Sequence, residues 1–294
     1  MSKNLIEKAA SRLREPHASN GFPPPGAARV PDAPGPDAPI PLAVPVHRPQ
    51  PAAGDDAPGQ SIDRARLRRL GVMTPDDERT QIGEQFRLLK RPILDNAFGP
   101  PASRLPRGNL VMVASSLPGE GKSFCAVNLA ISIAMEMDRT VLLVDADVER
   151  SKVLHYLGLT ARHGLLDILR TPELTVGDAL VRTDIERLTV LPGGTPYKRA
   201  TELLASEAMR KLVRELASRY PDRLILFDSP PLLMTTEATV LAAHMGQIIV
   251  VVEERQTPQD ALKKALAMIA GLPVSGLVLN KSTARHRDYY YDAV

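Results

Sequence analysis

The stretch LVMVASSLPGEGKS, residues 110–123, decides the fold. Its first half is a short unbroken apolar run, the pattern of a strand covered on both faces. Ser116, Leu117, Pro118, Gly119, Glu120, Gly121, Lys122 and Ser123 then lead straight into an apolar helix that begins near Lys122 and continues through Phe124. Successive backbone N–H groups at a helix start form an anion site, and two glycines let that backbone close around phosphate oxygens. Lys122 is placed to reach the β and γ phosphates, and Ser123 to offer a hydroxyl to Mg2+. The general pattern for such a loop has glycine where this chain has Ser116. The strand before it and the helix after it support the phosphate-loop reading.

Downstream, short apolar runs alternate with helical stretches, which implies a mostly parallel sheet covered on both sides. Strands are expected at 110–115, 140–145, 188–192, 223–228, 247–252 and 275–280, with helices starting near Lys122, Thr201, Thr236 and Pro258. The second strand ends in Asp145 and is followed by Asp147; the fourth ends in Asp228. Open α/β sheets bind ligands in the crevice at the carboxyl ends of their strands, where these acids lie. A hard cation is the economical reason to gather three carboxylates beside a lysine and a phosphate cradle. A P-loop nucleoside-triphosphatase fold with ATP and Mg2+ follows, with Ser123, Asp145 and Asp228 toward the metal.

Upstream, Thr74-Pro75 followed by Asp76, Asp77 and Glu78 reads as a helix start, with a cap, a proline at the first position and acids in the first turn. This helix carries Ile82, Phe86, Leu89 and Ile93 on one face and Glu84, Arg87 and Lys90 on a neighbouring polar face, and Pro92 is expected to kink or end it. Thirteen of the 27 prolines fall between Pro16 and Pro58, so residues 16–60 read as a disordered tether that cannot bury enough surface to offset its ordering entropy. Residues 1–15 read as a short amphipathic helix with Leu5, Ile6, Ala9 and Leu13 on one face, marginal without a partner or membrane surface to dock on. Residues 61–281 are left as one α/β domain and 282–294 as a tail.

Composition excludes several classes. Thirty-seven basic against 34 acidic residues give +3, too even for a nucleic-acid footprint. The single Cys125 excludes an internal disulfide framework and a cysteine-based zinc site, in keeping with a cytoplasmic chain. No run of 18 apolar residues is present, and the N-terminus lacks the apolar stretch of a signal peptide. Three of the six tyrosines, Tyr289, Tyr290 and Tyr291, crowd into the last six residues, where core packing gives them no task.

From about Ile62 to Ser282 the chain resembles the bacterial tyrosine kinases of capsule and exopolysaccharide assembly, and most of all the stand-alone autokinases of exosortase-type polysaccharide loci. SSLPGEGKS matches their Walker A motif, VLLVDADVER their extra Walker A′ motif and LILFDSPP their Walker B motif. LPGG at 191–194, ELLAS at 202–206, GLVLN at 276–280 and the terminal tyrosine cluster also match. The resemblance implies ATP-dependent phosphorylation of Tyr289, Tyr290 and Tyr291 in a neighbouring subunit. Lys122, Asp145 and Asp147 would be catalytic, with one of the two aspartates orienting the attacking phenol, and Arg150 would stabilise phosphate charge.

Glu84, Arg87 and Lys90 match the family's subunit-contact helix, with lysine in place of the final arginine, and so imply a ring-forming homo-oligomer. A separate membrane protein of the chain-length-determinant, polysaccharide co-polymerase type is implied as activator, a cognate tyrosine phosphatase as counterpart, and a peripheral place at the inner membrane through the partner. The rival readings are a partitioning or division-site ATPase switch, against which Leu117 stands where the signature lysine of that group belongs, and an ATP-bound adaptor without catalysis.

Overall fold

The computed structural model describes residues 59–219 and 222–283. The expected first helix, nearly all of the tether and the tail tyrosines lie outside them. Helix α1 spans Arg64–Arg69, a 3-10 turn spans Pro75–Asp77, and α2 spans Gln81–Phe98. Strand β1 (Leu110–Ser115) leads to α3 (Lys122–Ala134) and β2 (Thr140–Asp145). Three short helices follow, α4 (Val153–Leu157), α5 (Leu165–Arg170) and α6 (Val176–Ala179), and then β3 (Val181–Arg182) and β4 (Leu188–Leu191). The chain continues through α7 (Ala200–Leu204), α8 (Glu207–Arg219), β5 (Arg223–Asp228), α9 (Thr236–Ala242), β6 (Gln247–Glu253), α10 (Gln259–Met268) and β7 (Val274–Asn280).

The strands form one seven-stranded sheet in the order β3-β4-β2-β5-β1-β6-β7. Every pairing is parallel except β3 with β4. Alternate residues of the central strands serve opposite faces, as the twofold strand period requires. Val111, Val113, Val141, Leu143, Leu224 and Leu226 meet the core under α2 and α3, whereas Leu110, Met112, Leu142, Val144, Ile225 and Phe227 meet the core under α8 and α9. Continuous apolar runs are what a doubly covered parallel sheet demands, and all six residues of β1 are buried.

Three expectations change. The helix begins at Gln81, six residues after Pro75, because Asp77 closes a separate turn on Thr74, its carboxylate accepting from the Thr74 amide at 2.7 Å. Gly83 packs on that turn, where a Cβ would sit 2.3 Å from the Asp77 carbonyl. Pro92 neither ends nor breaks α2, which runs on to Phe98. Pro92 is exposed, and the carbonyl it orphans belongs to Leu88, whose side chain is 70% exposed, so water can serve it. The two-residue β3, antiparallel to β4, is too short to leave a periodic signal.

Candidate active site

The loop after β1 takes its shape from two left-handed glycines, Gly119 at φ +89° and Gly121 at φ +95°. Any other residue at Gly121 would be strained, and a Cβ there would meet the Asn280 amide at 2.0 Å. No side chain caps the start of α3, so its first amides are open to an anion. Other elements brace the loop. Glu120 is buried and accepts from the Leu117 amide at 2.9 Å and from Thr257 Oγ1 at 2.5 Å. Asn280 donates to the Glu120 carbonyl at 2.9 Å, and Lys281 Nζ to the Gly119 carbonyl at 2.8 Å. Ser116 is fully buried and its hydroxyl finds no partner. Pro118 and Gly119 are exposed at the tip, and Phe124 is half-buried one residue past Ser123.

Asp145 and Asp228 end adjacent strands at paired register positions. One oxygen of Asp145 is fully engaged: Oδ2 accepts from Ser151 Oγ at 2.7 Å and from the Lys152 and Val153 amides at 3.1 Å each, tying β2 to the start of α4. Its Oδ1 is buried without a partner, and so are both oxygens of Asp228. Asp147, two residues past the end of β2, forms an ion pair with Lys122, Oδ2 to Nζ 2.6 Å, with both side chains nearly buried. Burial pushes the Asp228 carboxyl far above the carboxylate range, and Asp145 adds to that. Lys122 opposes it, as does the Ser123 hydroxyl, which stops short of hydrogen-bond geometry. Asp145 is raised by burial and by Asp147, against its hydrogen bonds to Ser151, Val153 and Lys152. Burial, with Asp228, lifts the neighbouring Cys125 thiol to about 12, so it carries no nucleophilic role here.

These residues suit a cation held largely by its ligand's phosphates. Among the described residues no three His, Cys, Asp or Glu side chains gather in metal-binding geometry, so any cation here would draw on two protein carboxylates at most. Mg2+ keeps several waters and takes one or two carboxylates plus substrate phosphate oxygens. The unpartnered oxygens of Asp228 and the free Oδ1 of Asp145 would fit such a donor set, with the Ser123 hydroxyl at the start of α3.

The structure separates other residues that the sequence grouped. Glu84 and Arg87 pair on the outer face of α2 at 3.0 Å. Lys90 belongs to no polar face: it is buried, donates to the Ser132 carbonyl at 2.7 Å and pairs with Glu136 at 2.6 Å, which locks α2 to the end of α3. Arg150 is exposed, with its backbone amide on the Asp147 carbonyl at 3.0 Å. LPGG is a packing motif, since a Cβ on Gly164 would fall 2.4 Å from both the Pro192 carbonyl and the Gly194 amide. Ser151, Thr257 and Lys281 escaped the sequence reading because each acts on a partner set by topology and lies outside the quoted motifs or carries no pattern within them. Asn280, at the end of GLVLN, had a signal but no evident task.

A family model described as an AAA domain matches residues 108–274. Tyrosine-protein kinase YwqD of Bacillus subtilis is 30% identical over 184 residues, covering 62% of this chain and 76% of that protein. Tyrosine-protein kinase ptk of Acinetobacter johnsonii is 28% identical over 176 residues, 59% of this chain but 24% of that protein, so the chain spans about a quarter of this longer relative. Among solved structures, the chimerical protein CapA2B2 superposes with a TM-score of 0.63 at 27% identity, over 76% of this chain and 93% of that one.

Proposed function

The chain belongs to the bacterial tyrosine-protein kinases, in the P-loop class that the AAA-domain match marks, and on that footing we propose that it transfers the terminal phosphoryl group of ATP to Tyr289, Tyr290 and Tyr291 of a neighbouring copy. The observation that carries this reading is the buried cluster at the carboxyl ends of β1, β2 and β5: a glycine-shaped loop, the Lys122–Asp147 pair, and unpartnered carboxylate oxygens on Asp145 and Asp228.

Phosphoryl transfer asks mainly for positioning and charge neutralisation. The open amides at the start of α3 and the Lys122 ammonium would bind the β and γ phosphates. Asp228, Ser123 and Asp145 Oδ1 would hold Mg2+, which when bound neutralises charge on the β and γ oxygens. Asp145 is committed to Ser151 and α4 through its other oxygen, so Asp147 is assigned the phenol. Once phosphate takes Lys122 from it, Asp147 is free to accept the phenolic proton. Arg150 stands exposed beside it for developing charge.

The wider setting follows from the family. The Glu84–Arg87 face of α2 would join copies in a ring, a membrane chain-length determinant of polysaccharide assembly would activate the kinase, and a tyrosine phosphatase would reset it. Among the described residues no helix is long and apolar enough to cross a membrane, so the peripheral place is assigned to that partner.

The test is to incubate the full chain with ATP and Mg2+, with and without the cytoplasmic segment of the membrane partner, and to map phosphate by mass spectrometry. Phosphate on Tyr289 to Tyr291 that vanishes in Lys122→Met is the expected result. ATP hydrolysis with an unmodified tail in both conditions would overturn the proposal in favour of a switch ATPase.

A further inference from the structure

A cavity lies at the pole of the sheet opposite the phosphate loop, where β1 and β6 begin. It holds about 180 Å3 and is lined by Arg107, Leu110, Arg210, Val213, Arg214, Ala217 and His244. Three arginines are among these residues, and one carboxylate, Glu207, pairs with two of them, Arg214 at 2.8 Å and Arg210. Arg107 has no ion-pair partner among the described residues and is held in place by its backbone. It adopts a left-handed φ of +56°, its carbonyl accepts from the Leu110 amide at 2.9 Å, and it packs so closely on Gly246 that a Cβ there would fall 2.0 Å from that carbonyl. Non-glycine residues held in the left-handed region cluster at ligand and active sites, and Arg107 adds an unpaired charge beside this cavity. His244 completes the wall, its Nε2 buried and without a partner.

We propose that this cavity receives an aryl phosphate, the chemical class of phosphotyrosine, with Arg107, Arg210 and Arg214 on the phosphate and Leu110, Val213 and Ala217 against the ring. Arginine forks suit phosphate oxygens, and an apolar floor between them distinguishes an aromatic monoester from a free inorganic ion. The size suits a single ring. The choice of aryl phosphate among anions rests on the tyrosine-kinase reading; the cationic cavity does not. Burial, and then the charges of Arg107, Arg210 and Arg214, hold His244 below the usual imidazole range, against the opposing charge of Glu207. A bound phosphate reverses that balance and turns the imidazole into a further donor.

The full chain, its phosphate loop filled with saturating Mg-ADP, is titrated with phenyl phosphate, inorganic phosphate and a peptide of residues 285–294 phosphorylated at its tyrosines, while the His244 ring is followed by NMR. Phenyl phosphate is expected to bind about tenfold more tightly than inorganic phosphate and to raise the pH at which His244 titrates; Arg107→Gln and the exposed Arg214→Gln each weaken it about tenfold. Thermal melting of both variants establishes that they fold. Arginine-dependent binding of the phosphopeptide assigns the cavity to the modified tail, and arginine-dependent binding of phenyl phosphate alone assigns it to a soluble aryl phosphate. Binding indifferent to both arginines, equal binding of inorganic phosphate, or an unmoved His244 overturns the proposal. A tail that ATP never modifies, together with intact phenyl phosphate binding, defeats the kinase reading and leaves this site standing.

Discussion

The Lys122 ammonium sits 2.6 Å from Asp147 Oδ2, and both side chains are nearly buried. A nucleotide must therefore part this pair before its phosphates can use the lysine. Asp147→Asn leaves the buried ammonium uncompensated until phosphate arrives, so ADP should bind more tightly than to the native chain. Tail phosphorylation should fall by about 100-fold or more if Asp147 takes the phenolic proton. Calorimetric ADP binding and single-turnover transfer separate the two effects. Transfer by Asp147→Asn at the native rate would remove Asp147 from the chemistry and return the role to Asp145.

A second prediction concerns pH. Folded Asp228 and Asp145 hold protons where the unfolded chain has lost them, so unfolding releases protons between the ordinary 3.8 and the raised value of about 8 for Asp228. The folded state binds more protons than the unfolded one throughout that window, and nucleotide-free stability falls as pH rises through it. Asp228→Asn removes the charge that burial opposes. It should raise the melting temperature at about pH 8 by a few degrees, narrow the difference between about pH 5 and pH 8, and abolish Mg2+-dependent nucleotide binding. A lower melting temperature at alkaline pH would show that the Asp228 charge stabilises the fold.

The face of α2 divides into two roles that one spacing rule had joined. Lys90→Ala should cost about 1–3 kcal/mol, because it strips the partner from Glu136 and from the Ser132 carbonyl at the end of α3. Glu84→Ala with Arg87→Ala removes an exposed pair worth only a few tenths of a kcal/mol, yet should lower the oligomer mass seen by light scattering. If the double variant keeps its assembly, the ring contact lies elsewhere.

The sheet was legible in the sequence because a parallel strand leaves one signature, a short apolar run, and each run from Leu110 to Asn280 found its strand; the expected cover on both sides fails only at the edge strand β7, where Leu277 and Leu279 are more than half exposed. The phosphate loop and the acids at strand ends were legible for the same reason: the chemistry sits at the ends of elements whose periods are plain. Lys90 misled because helical spacing assigns a residue to a direction, and only the arrival of α3 decides whether that direction is water or protein. Pro92 misled in the opposite sense, since its cost depends on whether water reaches the Leu88 carbonyl. Ser151, Thr257 and Lys281 were silent because their partners are brought together by topology alone.

Lys281 also determines what the tail can do. Its ammonium grips the Gly119 carbonyl, and two residues later the Thr283 amide is held by Glu254 at 2.7 Å. Lys281 is thus anchored beside the chain's own phosphate loop and Thr283 on Glu254, six residues before Tyr289 and eight before Tyr291. Fully extended, these reach about 22 Å and 29 Å. Under the proposed transfer between copies, that length would be a ruler on assembly: a neighbouring copy could receive these tyrosines only if its catalytic crevice came within that radius of Thr283. Each added residue between Thr283 and Tyr289 would widen the circle by about 3.5 Å.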